Sequence, residues 1–166
     1  MLRRALAIRI VAIVALPSLT LAQNVLVVDG TAGPGSSFTQ IQPAIDAAAD
    51  GDVILVRSGT YDRFSIVGKS LSMVADAGAM VLVLNIFQSD VRSLAPEQRV
   101  EIQRIGFLGG PLAFLNDAGP VWLDRVVVQG SPFTFGGTPG VRISSCTSVT
   151  FLGCSVKGAS GFAPQQ

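Results

Sequence analysis

Two hydrophobic periods alternate along this chain, and the points where they change mark its elements. Phe38, Ile41, Ala44, Ile45 and Ala48 recur at spacings of three and four, which places them on one face of a helix. Thr39 with Gln42 resembles a capping box, and Pro43 is tolerable only in a first turn, so the helix cannot begin much earlier. Asp50-Gly51-Asp52 ends it. Residues 53–56 are apolar at every position, which predicts a strand covered on both faces, the helix supplying one cover. Gly59-Thr60-Tyr61 then reads as a corner.

Elsewhere the period is two. Short strands are predicted over residues 25–28, 64–66, 71–75, 81–86 and 91–94, separated by turns such as Gly68-Lys69-Ser70 and Asp76-Ala77-Gly78. Residues 100–109, 121–130 and 149–158 then repeat one pattern at offsets of 21 and 28, the range of solenoid coils. Val100 and Ile102 alternate with polar residues, two residues intervene, and Ile105 and Phe107 alternate again. Val121, Leu123, Val126 and Val128 do the same, as do Val149, Phe151, Cys154 and Val156. Two strands joined by a two-residue corner turn both apolar rows into one interior. Copies stacked about 4.8 Å apart give inward ladders such as Ile105–Val126–Cys154. The fold class is therefore all-β, a parallel β-helix whose coils bury a core only by stacking. Residues 131–140 form a longer turn in this alignment; a competing one matches residues 111–114 to residues 132–135 and puts Phe133 and Phe135 in a strand.

The stretch from Phe38 to Tyr61 resembles the N-terminal cap and first coil of secreted pectin-lyase-like right-handed β-helix proteins, pectin methylesterases included. The later repeats resemble those of exported bacterial β-helix proteins. The resemblance covers the chain after residue 22 and implies a right-handed, single-stranded solenoid of a few coils with an N-terminal capping helix. It carries over no catalytic residue. The Asp- and Arg-bearing motifs of the methylesterases are missing, and the polygalacturonase pattern needs a His, of which this chain has none.

Composition agrees with a β repeat: 18 Gly, 9 Pro and only 14% charged residues among 166. Residues 1–22 read as a secretory signal, with Arg3, Arg4 and Arg9 as the positive region, residues 10–16 as the apolar one, and Thr20-Leu21-Ala22 at the cleavage site. A retained anchor is the competing reading, but Arg9 and Pro17 leave too short an apolar run to span a bilayer. The expected layout is a signal peptide over 1–22, a strand and capping helix over 23–52, and coils over 53–166. The expected location is the exterior, the periplasm or the cell surface, with no membrane association after cleavage. Without the three arginines, nine basic residues face eleven acidic ones, a net charge of −2 with no basic cluster, which argues against nucleic acid. Lack of His removes the commonest base and metal ligand, and no calcium-binding loop occurs, so neither metal nor cofactor is expected.

Few residues suggest chemistry. Gly68-Lys69-Ser70 has the tail of a phosphate loop, but Arg63 stands where its first glycine belongs and a strand follows, so it reads as a turn. Asp124 and Arg125 are the remaining catalytic candidates: a carboxylate beside a guanidinium can bind a uronate or act as base. The plainer reading pairs Asp124 with Arg104 between corners in solvent. Trp122, the sole Trp, points outward beside Glu101 and Thr150, so Trp122 and Glu101 are the candidate carbohydrate site, unless Phe133 or Phe135 folds over the indole. Cys146, near a corner matching Asn116-Asp117, and Cys154, on an inward ladder, read as buried free thiols rather than a bridge.

Two functions follow as expectations. One is a non-catalytic exported β-helix, structural, adhesive or binding extracellular polysaccharide. The other is a lyase or esterase of uronate-rich polymers. A coil stands directly before residues 161–166 with no polar cap, which predicts a shortened relative of longer β-helix proteins or self-association through the last coil.

Overall fold

A computed structural model describes residues 23–130 and 139–158. The elements are β1 (Val25–Val28), α1 (Ile41–Ala47), β2 (Asp52–Val56), β3 (Gly59–Asp62), β4 (Ser65–Val67), β5 (Leu71–Ala75), β6 (Val81–Asn85) and β7 (Ser89–Arg92). Then come β8 (Val100–Gln103), β9 (Ile105–Gly109), β10 (Leu112–Leu115), β11 (Val121–Asp124), β12 (Val127–Gly130), β13 (Val141–Ser144), β14 (Val149–Leu152) and β15 (Ser155–Lys157). All pairing is parallel. Three sheets wrap one lumen in about five turns, ordered β1-β2-β5-β8-β11-β14, β3-β6-β9-β12-β15 and β4-β7-β10-β13. The chain is a parallel β-helix.

Each sheet contributes an inward ladder. On the first it runs Leu26, Ile54, Met73, Ile102, Leu123, Phe151; on the second Tyr61, Val83, Phe107, Val128, Val156; on the third Ile66, Val91, Phe114, Ile143. Members between the two ends are fully buried. The expected offsets hold, since Val100, Val121 and Val149 are register partners, Ile105 and Val126 are buried, and partly buried Cys154 packs against the core.

Several expectations change in detail. The corner between the first two sheets is Arg104 alone after β8 and two residues, Arg125-Val126 and Gly153-Cys154, after β11 and β14; Gln103 and Asp124 belong to their strands, and Arg104 (φ 55°), Arg125 (φ 52°) and Gly153 (φ 57°) turn left-handed. A single residue at positive φ reverses the inward-outward parity, so Ile102 and Ile105 both face the lumen. A second such row, Gly68, Ser93, Asn116 and Ser145, follows the third sheet. Gly59-Thr60-Tyr61 begins strand β3, because Tyr61 is buried and its hydroxyl donates to the Arg57 carbonyl at 2.8 Å. Strand β10 pairs with β13, which overturns the alignment of residues 111–114 with 132–135; residues 131–138 themselves lie outside the described residues. Val53 and Leu55 are half-exposed on the outer sheet face, so β2 is covered only on its lumen side.

Helix α1 closes the N-terminal end with Ile41, Ala44, Ile45 and Ala48 buried against β1, β2 and β3. No capping box forms; Gln40 is the N-cap, and Gln42 instead accepts from the Ser65 backbone at 2.7 Å and donates to Asp46. Asp52 caps from the far side, its carboxylate accepting from the Ala49 and Asn24 backbones at 2.8 and 3.0 Å. Gly68-Lys69-Ser70 is a turn, and its Lys69 ammonium donates to the Ile45 and Ala48 carbonyls at 2.8 and 2.6 Å, at the negative end of the helix. Chemical denaturation of Lys69→Met is therefore expected to show a loss of about 1–2 kcal/mol. Ile102→Ala, in mid-ladder, is expected to cost about 2–5 kcal/mol, against under about 1 kcal/mol for outward-facing Leu108→Ala.

Candidate functional site

The outer face of the first sheet carries Ser72, Glu101, Trp122 and Thr150 in one row and Val74, Gln103, Asp124 and Leu152 in the next. Parity alone places these side chains outside, as expected for Trp122 and Glu101. The indole is 48% exposed. It forms one wall of a hollow of about 280 Å³ completed by Arg99, Val100, Glu101 and Pro120. Glu101 is held upright by Gln103, which donates to its carboxylate at 2.6 Å. The loop expected to fold over the indole lies outside the described residues.

Asp124 and Arg125 are together, but not at this hollow. Both Nε and Nη2 of Arg125 donate to one carboxylate oxygen of Asp124, at 3.0 and 2.8 Å. That corrects the expected pairing with Arg104, whose guanidinium turns back to the Ala75 carbonyl while its backbone N–H donates to the Asp124 carbonyl. The carboxylate beside it pushes the Arg125 pKa further up, so Arg125 stays a fixed cation and Asp124 its counterion. Among the described residues no second acid or base converges on this pair, and no three acidic or Cys side chains cluster as metal ligands.

A larger hollow went unrecognised in the sequence. About 410 Å³ lies between Gln42, Asp62, Arg63, Leu84, Ile86 and Phe87 where the second sheet turns into the third. Phe87 and Ile86 are 74% and 78% exposed, and the Arg63 guanidinium carbon lies 6.0 Å from the Phe87 ring centroid. The signal was present as parity: Leu82, Leu84 and Ile86 are apolar at outward positions, while inward Asn85 is polar. Asn85 serves the backbone, donating to the Gly110 and Pro111 carbonyls and accepting from Ser89 at 2.6 Å. Gly110 must lack a side chain there, because a Cβ would run into the Phe87 carbonyl.

The cysteines are unbridged and half-buried rather than fully buried. Cys146 does stack on Asp117, as the corner alignment implied, and its thiol points at the carboxylate at 3.7 Å. Asp117 is fully buried and accepts from the Leu94 backbone at 3.1 Å. Burial raises its pKa despite that bond, with nearby Asp90 adding to the shift. At the other end Asp29 is lowered to about 2, chiefly by hydrogen bonds from the Thr31 hydroxyl and backbone and then from Arg57. Asp52 is lowered by its two backbone donors.

Comparison with protein-family models, with curated proteins and with solved structures gave no match. The geometry defines the class, a parallel β-helix.

The acids predict opposed pH effects. Asp29 and Asp52 contribute stability above the ordinary carboxylate value of 3.8; that of Asp29 is lost as pH falls to about 2, and that of Asp52 as pH falls through its own lowered value. Asp117 has the other sign: the folded state holds its proton more firmly, so its contribution is full below 3.8 and erodes as pH rises through the raised value. Asp117→Asn keeps an acceptor for Leu94 and removes the ionisation. Thermal melts are expected to show it gaining on the wild type as pH rises from 4 to 7; an equal difference at both pH values would refute this assignment.

Proposed function

We propose that this chain is an exported, non-catalytic β-helix of the pectin-lyase-like kind that binds extracellular polysaccharide on the outer face of its first sheet. Exposed Trp122, fixed on β11 beside the Arg99–Glu101 hollow, carries the reading. An indole held on a sheet offers a flat apolar surface to the C–H-rich face of a pyranose, and its order is settled before the sugar arrives. Glu101 and Arg99 flank it with an acceptor and a cation for ring substituents. The sheet surroundings favour binding over turnover, because the one candidate acid, Asp124, is committed to Arg125 and lies outside the hollow.

The chain has one Trp, so its fluorescence reports this site alone. Titration with pectin, alginate and a neutral glucan is expected to shift the emission for at least one of them. Trp122→Ala is expected to weaken retention of that polymer in affinity electrophoresis by about tenfold, the scale of one lost stacking contact. Unchanged emission with every polymer would remove the reading. Release of unsaturated products that stops in Asp124→Ala would replace it with a lyase.

A further inference from the structure

We infer that the open end of the solenoid, formed by β13, β14 and β15, is a two-fold interface between two copies of this chain. These three strands end their sheets, and among the described residues nothing pairs with their far edges. The lumen stays open with them. Ile143, Phe151 and Val156 are 51%, 36% and 46% exposed, although the ladder partners one coil below, Phe114, Leu123 and Val128, are buried. An apolar interior and three unpaired backbone edges thus lie in one plane, the arrangement that recruits further strands.

The rest of the molecule selects the occupant. The opposite end offers fewer such edges, because α1 packs on β1 to β3, residues 37–38 hydrogen-bond along β1, and the Gln42 amide bonds both the N–H and the carbonyl of Ser65 on β4. Head-to-tail stacking is thereby disfavoured. The same end of a second copy matches: a two-fold axis perpendicular to the stack sets each edge antiparallel to an edge of the copy and lays lumen on lumen. Such a contact is isologous and closes at two chains. The last coil spans residues 139–158, about 20 residues, the number a standard interface engages on each side.

Its charges add a signature. Arg142 and Lys157 are the only charged residues between 139 and 158, so cation meets cation across the axis. Screening relieves this at high salt, where contacts between opposite charges would weaken. The dimer therefore tightens as salt is raised.

Sedimentation equilibrium of the chain over two decades of concentration, at low and high salt, tests this. A monomer–dimer equilibrium severalfold tighter at high salt is expected. Ile143→Lys, at the lumen rim, is expected to weaken it by at least tenfold. Because that change could unfold the last coil, exposed Arg142→Glu provides a second readout: it leaves one charge of each sign and is expected to tighten the dimer at low salt and flatten its salt dependence. Three results overturn the inference: a monomer at every concentration, as when residues 159–166 close the end; masses that grow beyond two chains; or an Arg142→Glu variant that behaves as wild type.

Discussion

Burial of three side-chain ladders in one shared lumen holds this protein together. No single coil encloses enough apolar surface to offset its own ordering, so each depends on the coils above and below. That dependence explains the corners. A strand alternates sides strictly, and at the two-residue and shorter corners of the later coils a residue at positive φ lets two strands in sequence both aim inward. Non-glycine residues such as Arg104, Arg125 and Asn116 adopt it at a cost of about 1–2 kcal/mol each. Turning a side chain such as Ile105 or Val126 into the lumen gains about 1.5–3 kcal/mol, and stacking fixes each corner beside its neighbours.

Polar groups enter the lumen only where the sheets leave backbone groups unpaired. Asn85 and Ser89 serve the turn between the second and third sheets, and Asp117 accepts from Leu94 where the third returns to the first. Asp52 and Lys69 act on the two sides of α1, one accepting from the chain just past the helix and the other donating to its last carbonyls. The N-terminal end is closed by apolar contact and by charge, while the other end shows its ladders to solvent. The two ends of the molecule thus differ in structure.

The outer faces inherit their regularity from the inner ones. Because the backbones of β8, β11 and β14 are locked in register, Glu101, Trp122 and Thr150 stand in a fixed row. A row of this kind suits an extended polymer better than a small molecule, and rigid placement limits the entropy lost on binding. The Phe87 hollow sits at a turn, framed by Arg63 and Asp62, and has a different character.

The architecture was legible in the sequence wherever apolar period and repeat coincided. Residues 100–158 show the coil offsets and two of the three walls, and Ile41, Ala44 and Ile45 on the buried face of α1 were readable, because burial against a common core writes a period into the chain; Phe38, expected on the same face, instead bridges to Val28 before the helix begins. In the third sheet β4 and β7 were legible as residues 64–66 and 91–94, whereas β10 and β13 stayed hidden because they follow turns of unequal length. The candidate site was half legible. Parity put Trp122 and Glu101 outside, but side-chain pairing depends on distances in space: only the folded chain chose Arg125 over Arg104 as the partner of Asp124, sent Lys69 to the helix, brought Arg99 and Pro120 to the indole and gathered Phe87 with Arg63. Sequence determined which side of each strand faces the lumen, since alternation is a local property of the backbone; tertiary structure decided which side chains meet, since stacking joins residues 20 or more positions apart.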